Sequence, residues 1–374
     1  MKFCLISFSI CLFFVATTQS LEAQWYAQQD NTLTAIEELI HLEQWASAEA
    51  SLLKFVWNDP FGKEGIRAAE LLSRLCIIAH KAPEAMEWLE IALENPTISE
   101  EQFHSIKNRL ELLQRLYIPG QDYKLDTEFR LTGSDLESPQ EIEATPDGDL
   151  IVLDRYRLLV FSGTKTGPYK LKPPTFPLPE KLRSLKLRGR DPVVVLENGY
   201  WFENRIYSFQ GPVELTRIID AVINSDNNWM ILDRRNTNMV VFDIDGKFLN
   251  TIPAFPPNGN EQLLKHTSKG CWIMTPSSRQ ITTIGTTPSV KIPFKGANYS
   301  LSNPISMATD WFGHLYVLNQ NKTIAIFSPK GICLKTVALD SRGDILRLPT
   351  DISIGQDGSI FIADRRRHEI FCFR

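Results

Sequence analysis

The chain has 374 residues, of which 22% are charged and 43% hydrophobic, with a formal net charge of −4 at pH 7. That length exceeds one ordinary hydrophobic core and predicts two domains. The composition excludes collagen-like, disordered and multi-span membrane chains, and so small a net charge names no partner.

The first residues read as a targeting segment. Lys2 is a short positive start, Phe3 to Ala16 is an almost unbroken apolar run, and small and polar residues follow up to Ala23, where cleavage is expected. The run is short for a membrane span. Export by a cleaved signal peptide over residues 1–23 follows, with a periplasmic or secreted mature chain that carries no transmembrane span. An uncleaved anchor is one alternative. Lipid attachment at Cys11 is another, disfavoured because Ile10 stands where a lipoprotein signal wants a small residue. Four cysteines remain beyond the signal: Cys76, Cys271, Cys333 and Cys372. Each lies in an apolar run without metal-ligand or redox spacing, so they read as small buried hydrophobes. One disulfide among them stays open for an exported protein.

Residues 24–120 have a helical period. Ile36, Leu39, Ile40 and Leu42 share one face, and a second helix from Trp45 stops at Asn58-Asp59-Pro60. Ala68 to Ile78 and Pro83 to Glu94 repeat the pattern, stopping at Asn95-Pro96. Aligning Ala48, Leu52 and Phe55 with Ala85, Leu89 and Ala92 gives a period of about 37 residues. Small residues at those points let antiparallel helices approach closely. The region resembles tetratricopeptide-like (TPR-like) helical hairpins, with Ile106 to Leu116 as a capping helix; a plain helical bundle is the alternative.

At Pro119-Gly120 the period changes from helical to alternating, and residues 121–374 read as strand, turn and strand. Turn signals recur at Asp147-Gly148, Asn198-Gly199, Asn227-Asn228, Lys269-Gly270, Phe312-Gly313 and Asp357-Gly358, each between apolar runs. From the first turn glycine to the last the mean spacing is about 42 residues, the length of a four-stranded blade. Six blades follow. The sixth lacks an outer strand, and the stretch Leu125 to Gly133 matches the outer-strand phrases of blades three and five, so closure by an N-terminal strand is expected. The stretches Pro349 to Asp364 and Asp233 to Phe242 look like NHL repeats, and that resemblance implies a six-bladed NHL-type β-propeller. Blade two departs most, having no Asp at the end of its second strand. The family includes hydrolases, a lyase, RNA-binding modules and interaction platforms, so membership alone implies no chemistry.

Two sets of side chains are candidates for function. Glu141, Asp220, Ser306 and Asp351 occupy comparable places at the start of the inner strands, near the channel mouth. Carboxylates converging there suit a hard cation such as Ca²⁺, as in the lactonase-like relatives; otherwise they belong to the repeat's own hydrogen bonding. No cofactor is called for apart from that divalent cation. Loops between second and third strands carry Arg155, Arg157, Arg234, Arg235, Lys322, Arg365, Arg366, Arg367 and His368. The charge gathers on one rim: the helical region sums to roughly −7 and the strand region to roughly +3. That rim suits an acidic protein segment, a phosphorylated glycan or a lipid headgroup. It could alternatively hold the helical domain's own acidic face, or be a solvated rim whose arginines pair with Asp154, Asp233 and Asp364. Nucleic acid is a poor partner for an exported chain.

His314 reads as a surface residue after a turn, and Trp201, Trp229 and Trp272 as packing between blades. Hydrolase elbows, phosphate loops and paired-His zinc motifs are absent from the sequence. The expected function is therefore a non-enzymatic protein–protein interaction scaffold of the cell envelope. The alternative is a metal-dependent lactonase-like hydrolase or lyase at the channel mouth.

Overall fold

The computed structural model describes residues 33–374, apart from 59, 61, 130, 133–135, 156, 164–169, 179–181, 237, 255–260, 266–269, 287–288 and 340–344. The expected signal segment lies outside the described residues.

Five helices come first among the described residues: α1 Leu33–His41, α2 Trp45–Asn58, α3 Lys63–Ile78, α4 Ala82–Leu93 and α5 Glu100–Tyr117. Each packs against the next. The small and apolar positions aligned in the sequence are the contact points, since Ala48, Leu52, Ala85 and Leu89 are all fully buried. Helix α5 starts six residues before the expected position. The missed signal is the capping box at Ser99, whose hydroxyl accepts from the Gln102 N–H while the Gln102 side chain accepts from the Ser99 N–H.

The remainder folds into six four-stranded antiparallel sheets. Their inner strands are β2 Pro139–Ala144, β6 Leu182–Arg188, β10 Ile218–Ile223, β14 Gln262–Lys265, β18 Pro304–Thr309 and β22 Pro349–Ile354. The sixth sheet has the order β1-β24-β23-β22, with β23 at Ile360–Asp364, and in it β1 Leu131–Thr132 pairs with β24 Glu369–Phe373. Isolated bridging adds Leu125 to Phe373. Aromatic side chains fill the spaces between sheets: Trp229 and Trp272 are fully buried, and the Tyr200 and Trp229 rings stand 4.9 Å apart. Among the described residues Cys76, Cys271, Cys333 and Cys372 are free thiols, three of them buried.

Blade two is offset by one strand from its expected position. Pro192 to Leu196 lies in the second strand, β7 Asp191–Leu196, and Asn198-Gly199 joins the second strand to the third. The inner strand is instead β6, a segment of alternating basic and apolar residues, and its turn falls at Gly189, which has φ +65°. Trp201 consequently sits in a third strand rather than after a first turn.

Helices and propeller share one hydrophobic core, which runs from Ile66, Leu89 and Leu113 to Phe312, Ile352 and Ile360. The helices meet the turns between first and second strands of blades five and six. Leu112 packs so closely on Gly358 that a Cβ there would meet its Cδ1 at 2.8 Å, and the Gly358 φ of +74° already disfavours other residues. Arg109 lies 3.9 Å from the centre of the Trp311 ring and forms a buried ion pair with Glu70.

His314 is fully buried, contrary to the surface position expected. Its Nδ1 bonds Asp310 Oδ2 at 2.8 Å and its Nε2 bonds the Tyr117 hydroxyl at 2.9 Å, so a propeller turn and the last helix are tied by one imidazole. These contacts put the helical domain on the face opposite the basic loops, which excludes the reading in which the rim holds the helices.

Removing one member of a buried pair leaves the other charge uncompensated. Glu70→Ala should therefore lower stability by about 3 kcal/mol, measured by urea denaturation, with the helical domain losing its hold on blade five.

Candidate functional site

In five blades the register shifts at the start of the inner strand, immediately before Glu141, Ser184, Asp220, Ser306 and Asp351. A bulge of this kind re-aims the next side chain. In blade four Gln262, opposite Met274, holds the equivalent place. All six residues are polar, and each reaches the neighbouring blade.

Glu141 accepts the Leu185 N–H of blade two. Ser184 donates to Asp220 Oδ1 at 2.5 Å, and Asp220 Oδ2 accepts from the Leu263 N–H at 2.7 Å. Gln262 donates to the Ile305 carbonyl at 2.5 Å, and Ser306 donates to Asp351. Asp351 Oδ2 accepts from the Ile142 N–H at 2.8 Å, which returns the circuit to blade one. The result is a closed ring of side-chain bridges around the channel.

The three carboxylates expected to hold a cation, Glu141, Asp220 and Asp351, are thus in one ring, each bound to the next blade. Among the described residues no group of three or more His, Cys, Asp or Glu side chains is placed to hold a metal ion.

Two residues further along each inner strand the same face presents Glu143, Lys186, Val222, Leu264, Ala308 and Ser353. One half of this layer is polar and the other apolar. Lys186 Nζ lies 3.5 Å from Asp220 Oδ1 and donates to the Leu263 carbonyl at 3.3 Å. The offset of blade two hid Ser184 and Lys186 from the sequence reading.

The channel encloses a cavity of about 960 Å³, and Ile40, Arg67, Leu71 and Arg74 of the helical domain line its far end. Burial, with the neighbouring Asp351 and Asp220 carboxylates, pushes Glu143 up to about 8 against the pull of Lys186. Burial raises Asp351 to about 6, and burial with Asp351 raises Glu141. For Lys186 burial favours the neutral amine, but Asp220, Glu141 and Glu143 outweigh it and raise the ammonium's pKa.

The aspartates that end the second strands are structural. Asp154, Asp233 and Asp364 are fully buried and accept backbone N–H groups of the preceding connection. Arg157 pairs with Asp154 at 2.6 Å, as one reading of the rim expected. At Asp233 and Asp364 the carboxylate takes backbone N–H groups of the basic loop itself, including those of Arg235 and Arg366. Arg234, Arg235, Arg365 and Arg366 are exposed, and no carboxylate among the described residues pairs with their side chains. Arg155 is exposed beside Glu137, while Arg157, Lys322 and Arg367 are half-buried. Arg279 occupies the equivalent loop of blade four and is also exposed. The sequence reading passed over it.

A family model of the NHL repeat matches residues 346–373. The fold is a six-bladed β-propeller. A streptogramin B lyase structure is similar at a TM-score of 0.50 and 14% identity, covering 68% of this chain and 98% of the lyase. Virginiamycin B lyase from Staphylococcus aureus matches at 0.48 and 12%, covering 67% and 99%, and the WD40 propeller domain of Doa1 at 0.48 and 12%, covering 67% and 96%. Likeness at these identities shows the fold alone. No curated protein matches the chain.

A carboxyl whose pKa is raised on folding stabilises the protein fully below its unfolded pKa, and the contribution is lost as pH rises through the folded value. For Glu143 that loss extends from about pH 4.5 to past its folded value of about 8. The melting temperature should therefore fall from about pH 5 to about pH 9. Glu143→Gln should flatten the upper part of that slope in a pH series of thermal melts.

Proposed function

We propose that the chain is an exported, non-enzymatic interaction scaffold of the cell envelope. In this reading TPR-like hairpins and a propeller closed by its preceding strand form one rigid body, and the basic rim seats an acidic segment of a protein partner. The observation that carries it is the state of Arg234, Arg235, Arg365 and Arg366. Their backbone is fixed, by Asp233 and Asp364 through Arg235 and Arg366, and by the Arg217 and Leu348 carbonyls through Arg234 and Arg365. Their side chains project from equivalent loops of two blades without carboxylate partners among the described residues.

Such a surface presents positive charge whose backbone is already ordered, which lowers the entropic cost of docking. The channel carboxylates support the same reading from the other side, because Glu141, Asp220 and Asp351 are engaged in joining blades.

The test is capture of a fluorescent deca-glutamate peptide by the mature protein, followed by cross-linking in the envelope. Binding should weaken steeply with salt. It should be lost in the charge-reversed variant R234E/R235E/R365E/R366E, with an unchanged melting temperature. Equal binding by both proteins would sink the rim as the docking surface. A chelator should leave the melting temperature of the wild-type protein unchanged; a fall on chelation would favour a metal-dependent hydrolase or lyase.

A further inference from the structure

The channel holds a carboxyl and a guanidinium that do not reach each other. Glu143 on β2 and Arg74 on α3 both line the cavity of about 960 Å³. Neither side chain has a hydrogen bond or ion pair among the described residues, and the Arg74 Nε is buried without a partner. Other charges along the channel are committed. Glu141, Asp220 and Asp351 belong to the ring, Lys186 to Asp220, Arg67 to Glu37 and Glu70, and Arg183 to Glu197.

An unmatched charge in a confined space is costly. Glu143 avoids the cost by holding its proton, with its pKa pushed up to about 8. Arg74 has no such escape: burial and the nearby Arg67 and Arg109 lower it only to about 10, which leaves it a cation at neutral pH. A ligand bringing an ammonium to the first and a carboxylate to the second would match both.

Glu143 lies level with Ala308, two residues past the ring. The Arg74 guanidinium stands 5.7 Å from the centre of the Trp311 ring, and Trp311 is three residues beyond Ala308. Trp311 lies past the end of β18 at Thr309, in the turn beside the helices, so Glu143 and Arg74 belong to different elements around one cavity. A ligand with an ammonium at one end of a short extended chain and a carboxylate at the other addresses both. Val222, Leu264 and Ala308 at the level of Glu143, with Leu71 and Ile40 from the helices, supply apolar walls for its side chains. We propose that the channel binds a short, free-ended peptide with apolar side chains, its ammonium at Glu143 and its carboxylate at Arg74.

This inference does not depend on the rim. Isothermal titration calorimetry of the full mature protein with trileucine, N-acetyl-trileucine and trileucine amide tests it. Trileucine should bind about tenfold or more tighter than either blocked form. Glu143→Gln should abolish the preference over the N-acetyl form, and Arg74→Gln the preference over the amide. Because Arg74 also packs beside Trp311, Arg74→Lys serves as a milder variant that should keep part of the carboxylate preference, with circular dichroism confirming the fold of each. Failure of the wild-type protein to bind trileucine, or equal binding of all three peptides, overturns the proposal. So does retention of both preferences in the folded variants. R234E/R235E/R365E/R366E should bind trileucine as the wild type does; loss there in a folded protein would place the peptide on the rim and overturn the channel assignment.

Discussion

The propeller depends on the circuit of side chains by which each inner strand grips the next. Within a blade, strands are joined by backbone ladders, but between blades the inner strands diverge and cannot continue the ladder. Bridges from Glu141, Ser184, Asp220, Gln262, Ser306 and Asp351 cross those gaps. Burying such polar groups would be unfavourable without partners, and here each has one. The bulge before five of these residues is what turns their side chains toward the neighbour. Polar residues at the channel thus serve the architecture first.

The second constraint is the union of the helices with the propeller. Leu112 lies against a glycine turn, Arg109 lies over Trp311, and the Tyr117 hydroxyl bonds His314. These are a packing contact, a cation–aromatic contact and a hydrogen bond, drawn from α5 and two adjacent blade turns. A shared core continues across the junction. The helical region therefore behaves as part of the propeller's wall, closing over one end of the channel with Arg67 and Arg74.

Much of the fold was legible in the sequence because its signals are local. Asp-Gly turns, alternating strands and the recurring aspartate mark five blades in register, and Ala48, Leu52, Ala85 and Leu89 mark the helix contacts. Blade two failed because Leu182 to Arg188 alternates like a strand but is basic, and a glycine turn flanked by arginines is a weaker signal than Asp-Gly. That single offset concealed Lys186, which sits among the channel carboxylates. The burial of His314 was illegible for another reason: its partner Tyr117 is 197 residues away in the chain. Glu141, Asp220, Ser306 and Asp351 were found as an equivalent set, but their direction across blade boundaries is a property of the bulges, which no residue type announces.

The asymmetry of the two channel ends has a kinetic consequence. Helices line one end and the arginine loops surround the other, so the rim is one route into the cavity. A partner seated on those loops would act as a stopper, slowing exchange of whatever the cavity contains without altering how well it fits. Residence time inside and occupancy outside would then rise and fall together, a coupling that needs no change of shape in the protein.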